Sequence, residues 1–358
     1  MKKVIFLLSI VVILPFFALN CYADDGIDKF VNDFKEALPE EYKEFGETDK
    51  LTDAADFGTL VSVVEGVITE GKADFLKFLF LLIGSATLLA VASLCPGKLS
   101  GAVECGAGIV CSVTVFSAIS PIIDTVSSEI DKISGFFASL IPITVGITAF
   151  GGGVATASVQ AVGMYTALSA VGGIADKIFL SLSAFGLAMA MLSSFNNEGI
   201  GAVCKGLKGL FNWVTGIFTA LLTAAFSLQT LIASSADNAA MRAAKYAASG
   251  LIPVVGSTVS GAISTLASGL SYAKGIVGGG AIAVILYMSI TPLALLLLYR
   301  LGLSLCIILT DFMGIHTGSR IFTSFRFALD MMITVYALSA LIYLFEIIIV
   351  IRTGVALL

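Results

Sequence analysis

Apolar and charged positions alternate along this chain on the scale of whole helices rather than single turns. From Phe75 onward, long uncharged stretches are interrupted by single charges or small clusters. Lys77 to Lys98, Glu104 to Asp124, Lys132 to Asp176, Lys177 to Glu198, Lys208 to Asp237, Lys245 to Lys274 and Lys274 to Arg300 each enclose one. About 18 or more apolar residues cross a hydrocarbon core of about 30 Å as a helix rising about 1.5 Å per residue. A soluble domain needs polar faces that these stretches lack.

The pattern predicts an all-α, polytopic membrane bundle of about seven to nine membrane segments. The first span covers about Phe75 to Leu94 and the second about Cys105 to Ile122. The loop between them carries Lys98, and an acidic loop with Asp124, Glu129, Asp131 and Lys132 follows. Ile133 to Ala175 is long enough for two helices that turn at Gly151-Gly152-Gly153. Further spans cover about Ile178 to Ser194, Gly209 to Ala236, Gly275 to Tyr299 (kinked at Pro292) and Met331 to Ile351. Leu301 to Thr310 is too short to span alone, and Trp213 suits a membrane interface.

Ala233 to Tyr272 differs in kind: Ala, Ser and Gly dominate, and Gly250-Leu251-Ile252-Pro253 interrupts it. Small side chains let helices approach closely, so this segment is expected inside the bundle as a re-entrant or interrupted element. Asp237, Arg242 and Lys245 at its head are either a loop ion network or a polar site. Asp176-Lys177 is a loop pair at a bilayer surface or a buried pair lining a path. Glu346, close to Arg352, is expected at an interface.

The N-terminal part is polar. Residues 1–74 hold 15 acidic residues and 7 lysines, a balance of −8, while the rest carries 13 basic and 10 acidic residues, a balance of +3. Residues 1–23 read as a secretory signal: Lys2 and Lys3, an apolar centre from Val4 to Ala18, and Cys21-Tyr22-Ala23 as a cleavage site. An uncleaved anchor is the alternative, and Asn20 argues against lipidation of Cys21. Residues 24–74 then form an exported acidic segment, and residues 75–358 the transmembrane domain. Ile27, Phe30, Val31, Phe34 and Leu38 repeat at helical spacing up to Pro39, and Phe57, Leu60, Val61, Val64, Val67 and Ile68 form a second stripe. Two short amphipathic helices follow, lying on each other, on the membrane face or against an extracytoplasmic partner.

Composition agrees with the membrane reading: 58% of residues are hydrophobic and 13% charged, with a mean hydropathy of +1.01. Soluble domains carry about 25% charge. No basic arm supports nucleic-acid binding. The six cysteines form no CxxC pair, and the lone His316 excludes a multi-histidine metal site. Neither HExxH nor GxxxxGK[ST] occurs, and an intramembrane serine protease lacks a base inside the bundle. The chain is expected to be no enzyme and to hold no cofactor.

Several ordered segments are similar to one family. They are Leu140-Ile141-Pro142 followed by Gly151-Gly152-Gly153, and Leu228-Gln229 leading through Ala236-Asp237, Arg242 and Ala243-Ala244-Lys245 to Ile252-Pro253-Val254-Val255-Gly256. Tyr272-Ala273-Lys274-Gly275-Ile276-Val277-Gly278 completes the set. The chain resembles the stage III sporulation protein AE family of endospore-forming bacteria over roughly residues 75–350. The resemblance implies a non-enzymatic component of the channel joining mother cell and forespore, in the mother-cell membrane surrounding the forespore. The N-terminal segment would lie outside the mother-cell cytoplasm. Implied partners are the other stage III sporulation A-operon membrane proteins, a cytoplasmic ATPase and copies of the chain itself. The candidate packing or pore residues are Gly151, Gly152, Gly153, Asp237, Arg242, Lys245, Pro253, Gly256, Lys274 and Gly278. A secondary transporter with a mid-membrane site is the competing reading.

Overall fold

The computed structural model describes residues 28–40, 42–43, 57–95, 100–150, 153–173, 209–217, a few isolated positions between 181 and 224, and 256–355. Among these, the regular structure is all helical. We label the helices α1 (28–37), α2 (Phe57–Ser93), α3 (Ser100–Phe150), α4 (Val154–Gly173), α5 (Gly256–Phe312) and α6 (His316–Val355). Five of them, α2 to α6, are long and apolar enough to cross a membrane. The signal segment 1–23 lies outside the described residues, as do Asp176-Lys177 and the interruption at Gly250–Pro253.

Among the described residues, the helices are longer than the charge pattern predicts. α2 runs unbroken through Asp74 and Lys77, joining the second amphipathic stripe to the first span. α3 carries Asp124, Glu129, Asp131 and Lys132 in its interior, where an acidic loop was expected. α5 is continuous from Gly256 through Lys274 and Arg300, so Leu301 to Thr310 is its last part. α6 likewise begins at His316 and includes Arg320 and Arg326, well before Met331. A charge ends the apolar stretch without ending the helix, because Lys, Arg and Glu are good helix formers. Only special backbone chemistry stops these helices.

Two turns show that chemistry. After α5, the Ile315 N–H donates to the Thr310 carbonyl (2.9 Å) and the Gly314 N–H to the Asp311 carbonyl (3.1 Å). This paired pattern is the Schellman cap, which needs a left-handed residue, and Gly314 supplies it at φ 71°. Between α3 and α4, the Gly153 N–H donates to the Thr148 carbonyl (3.1 Å), while its own carbonyl receives the Ala157 N–H (2.8 Å). Gly153 thus closes one helix and opens the next, at the expected glycine break. Gly151 and Gly152 fall outside the described residues.

Side-chain contacts fix the helix register. α5 and α6 form a hairpin in which Thr310 meets Gly318, Arg300 meets Asp330, Met288 meets Tyr336 and Gly278 meets Ile351. α3 runs parallel to α6, joined by Glu104 to Thr317 and by Ser134 to Tyr343. The described contacts of α2 lie at the end of the bundle near the 313–315 turn. There Cys111 lies against Ser85 and Cys306, and the Phe78 ring lies tilted against Tyr299 with centroids 4.4 Å apart. α4 covers the opposite end, through Met164 on Thr144 and Gln160 on Val350.

The result is two stacked tiers. The first holds the apolar half of α2, the start of α3, the end of α5 and the start of α6. The second holds the end of α3, α4, the middle of α5, the end of α6, and α1. Asp74, Lys77, Asp124, Arg300 and Asp330 mark the junction.

The α1 stripe forms a helix and packs against the bundle itself, a contact not among the three the sequence suggested. Phe34 (0% exposed) and Leu38 (3%) enter the core, and Phe30 sits edge-on to Phe150 at 6.1 Å. A Phe34→Ser variant is expected to release α1 while the bundle stays folded. Limited proteolysis would then cut near residue 40 far faster than in the parent protein, with little change in the global unfolding temperature.

Candidate functional site

The inward face of α6 carries polar side chains at spacings of three and four, the repeat that aligns one helix face. Tyr336, Ser339, Tyr343 and Glu346 are at most 3% exposed. The Tyr336 hydroxyl donates to the Met288 carbonyl of α5 (3.4 Å). Ser339 donates back to the Val335 carbonyl (3.0 Å). Tyr343 shares a hydrogen bond with Ser134 of α3 (2.8 Å), and its ring stacks on Phe137 with centroids 4.3 Å apart. One turn beyond Glu346, Gln160 of α4 donates to the Val350 carbonyl (3.4 Å). Four helices therefore converge on one polar seam.

Glu346 lies fully inside the bundle. A carboxylate in an apolar bundle costs several kcal/mol unless the surrounding groups stabilise it. Chemically the seam can orient helices and hold a proton or a cation near Glu346. Among the described residues, no group of three or more His, Cys, Asp or Glu is arranged to hold a metal.

A second polar contact lies at the junction of the tiers. The Arg300 guanidinium pairs with the Asp330 carboxylate across the α5–α6 hairpin. Alongside, Lys77 bridges Asp74 at 2.8 Å, and Tyr299 stands between Phe75 and Phe78. Arg300 and Asp330 keep 43% and 32% exposure, so solvent screens the pair. Its coupling energy in a double-alanine cycle is expected to be about 1 kcal/mol or less. Unfolding of the two single variants and the double variant would measure it.

The residues singled out in the sequence fare unevenly. Asp237, Arg242, Lys245 and Pro253 lie outside the described residues. Gly256 opens α5, and Lys274 lies within it. Gly278 is buried where α5 crosses α6: a Cβ there would stand 2.3 Å from Cγ1 and 2.5 Å from Cδ1 of Ile351. Ile351 follows the Val350 carbonyl that Gln160 binds, so Gly278 sits at the end of the seam. The seam itself was missed. Its signal was legible as the recurrence of Tyr, Ser, Tyr and Glu at three-four spacing inside an apolar helix.

The family model for stage III sporulation protein AE matches residues 48–354, nearly the whole chain. The chain belongs to the stage III sporulation protein AE family. The family makes it a sporulation protein, and its apolar helices suit a multi-pass membrane location. The match includes all of α2, α3, α4 and α5, hence the seam and the Gly278 crossing. No curated protein and no solved structure matches the chain.

Proposed function

We infer that this stage III sporulation AE protein is a non-enzymatic integral membrane component of the channel complex that joins mother cell and forespore. The observation that carries the reading is the family match over residues 48–354 on a chain of long apolar helices. The inter-helix hydrogen bonds of the interior suit a bundle held in one arrangement. In this reading the protein resides in the mother-cell membrane surrounding the forespore, and α1 faces the space between the two membranes. Its partners are the other stage III sporulation A-operon membrane proteins, their cytoplasmic ATPase and further copies of itself.

One observation favours the secondary-transporter alternative: Glu346 is a fully buried carboxylate on the same helix face as the inter-helix contacts, as a coupling-ion site requires. Affinity isolation of the tagged protein from sporulating cells separates the two. The channel reading expects the other operon products in stoichiometric amounts. Isolation of the chain without them, together with substrate uptake by reconstituted vesicles that is lost in Glu346→Gln, overturns it.

A further inference from the structure

The two tiers are together too tall for one bilayer. α3 has 51 residues and α5 has 57, about 75 Å and 85 Å of helix at about 1.5 Å per residue. A hydrocarbon core is about 30 Å thick. One tier fits inside it, and the charged positions at the junction mark its edge.

Where the charges lie decides which tier that is. α1 runs along the second tier, from Phe30 on Gly146 and Phe150 down to Pro39 and Tyr42 beside Glu129 and Lys132. Its outward positions Asp28, Lys29, Lys35 and Glu36 are exposed along that height. Each charge immersed in lipid would cost about 2.5–3.5 kcal/mol at mid-bilayer. α2 adds a second flank, because its helix continues past the exposed Asp74 toward its start at Phe57.

Large exposed apolar side chains are denser on the first tier than on the second, where Phe150, Val154, Leu341, Phe345 and Ile348 are also exposed. Phe80, Leu88, Val91, Val110, Leu305 and Ile308 are all large, exposed and in the first tier. There α2 is uncharged from Phe78 to Leu94, and α3 from Cys105 to Ile123. The outer face of α4 instead mixes Val162 and Tyr165 with the exposed hydroxyls of Ser158, Thr166 and Ser169. α4 is also the least apolar of the five long helices. At the far end of the first tier, Arg320 near the start of α6 supplies a cation at the other interface.

We propose that the first tier alone is the lipid-embedded domain. Its apolar band takes lipid acyl chains, and the second tier stands clear of the hydrocarbon on the side of the N-terminal segment. α4, long enough to cross the bilayer, does not cross it. The buried seam around Tyr343 and Glu346 then belongs to a protein body beside the membrane, not to a mid-membrane site.

Tryptophan quenching tests this directly. The chain has one tryptophan, Trp213, which Trp213→Phe removes. Phe80 and Tyr165 are surface aromatics, 72% and 59% exposed, so Phe80→Trp and Tyr165→Trp are conservative reporters for the two tiers. The full chain is reconstituted in phosphatidylcholine vesicles with acyl chains either plain or brominated. Phe80→Trp is expected to lose most of its emission in the brominated lipid, and Tyr165→Trp to keep nearly all of it. Deep quenching of Tyr165→Trp, or an unquenched Phe80→Trp, overturns the proposal. Ile308→Trp and Val162→Trp repeat the comparison at independent positions, so the outcome does not depend on one variant folding.

Discussion

Truncating Tyr343 to alanine is expected to lower stability by about 3–5 kcal/mol, the range for removing a large buried aromatic side chain. The ring is 1% exposed and stacks on Phe137, so its loss opens a cavity between α3 and α6. Tyr343→Phe keeps the ring and removes only the hydroxyl. Ser134 retains its bond to the Ile130 carbonyl (2.7 Å), so that change should cost only about 1 kcal/mol. Chemical unfolding of the detergent-solubilised protein separates the two. Equal losses in both variants would show that the hydrogen bond, and not the packed ring, holds α3 to α6.

Filling the α5–α6 crossing is the second large effect. Gly278→Leu places a branched side chain where even a Cβ stands 2.3 Å from Ile351. Overpacking of this kind costs about 1–3 kcal/mol, and more where the backbone must move. Near Gly278 the neighbour is the other arm of the hairpin, so the expected result is separation of α5 from α6 at that end. Ile351→Ala in the same chain should restore much of the loss, because it removes the colliding atoms. A Gly278→Leu protein as stable as its parent would contradict the close crossing.

How much of this was legible in the sequence depends on the scale of the signal. The helical class, the α1 stripe ending at Pro39 and the break at Gly153 were all readable, because each rests on local chemistry: periodicity, a missing N–H, a flexible backbone. The loop expected at Asp124 to Lys132 and the span ends expected at Lys274 and Arg300 differ from the structure for one reason. Charges avoid lipid, yet a helix longer than the bilayer can carry them at its edge. Helix ends are set by backbone capping, as Gly314 shows, whereas charge reports only which medium surrounds a turn.

The polar seam lay below the resolution of composition. Tyr336, Ser339, Tyr343 and Glu346 are dispersed in an apolar run, and only the three-four spacing puts them on one face. Which helix that face meets is a tertiary fact: Ser134 lies 209 positions from Tyr343 along the chain. Gly278 was picked out as the end of the family-like run from Tyr272, but the reason for a glycine there is the β-branched Ile351 opposite it. The resemblance marked the position without revealing its partner.

The central claim, that this protein is a membrane component needed for endospore formation, is tested most directly by deleting its gene in the source organism and counting heat-resistant spores. The account predicts that growth stays normal, that heat-resistant spores are lost, and that an intact copy supplied in the mother cell restores them. Normal spore numbers in the deletion strain would contradict it.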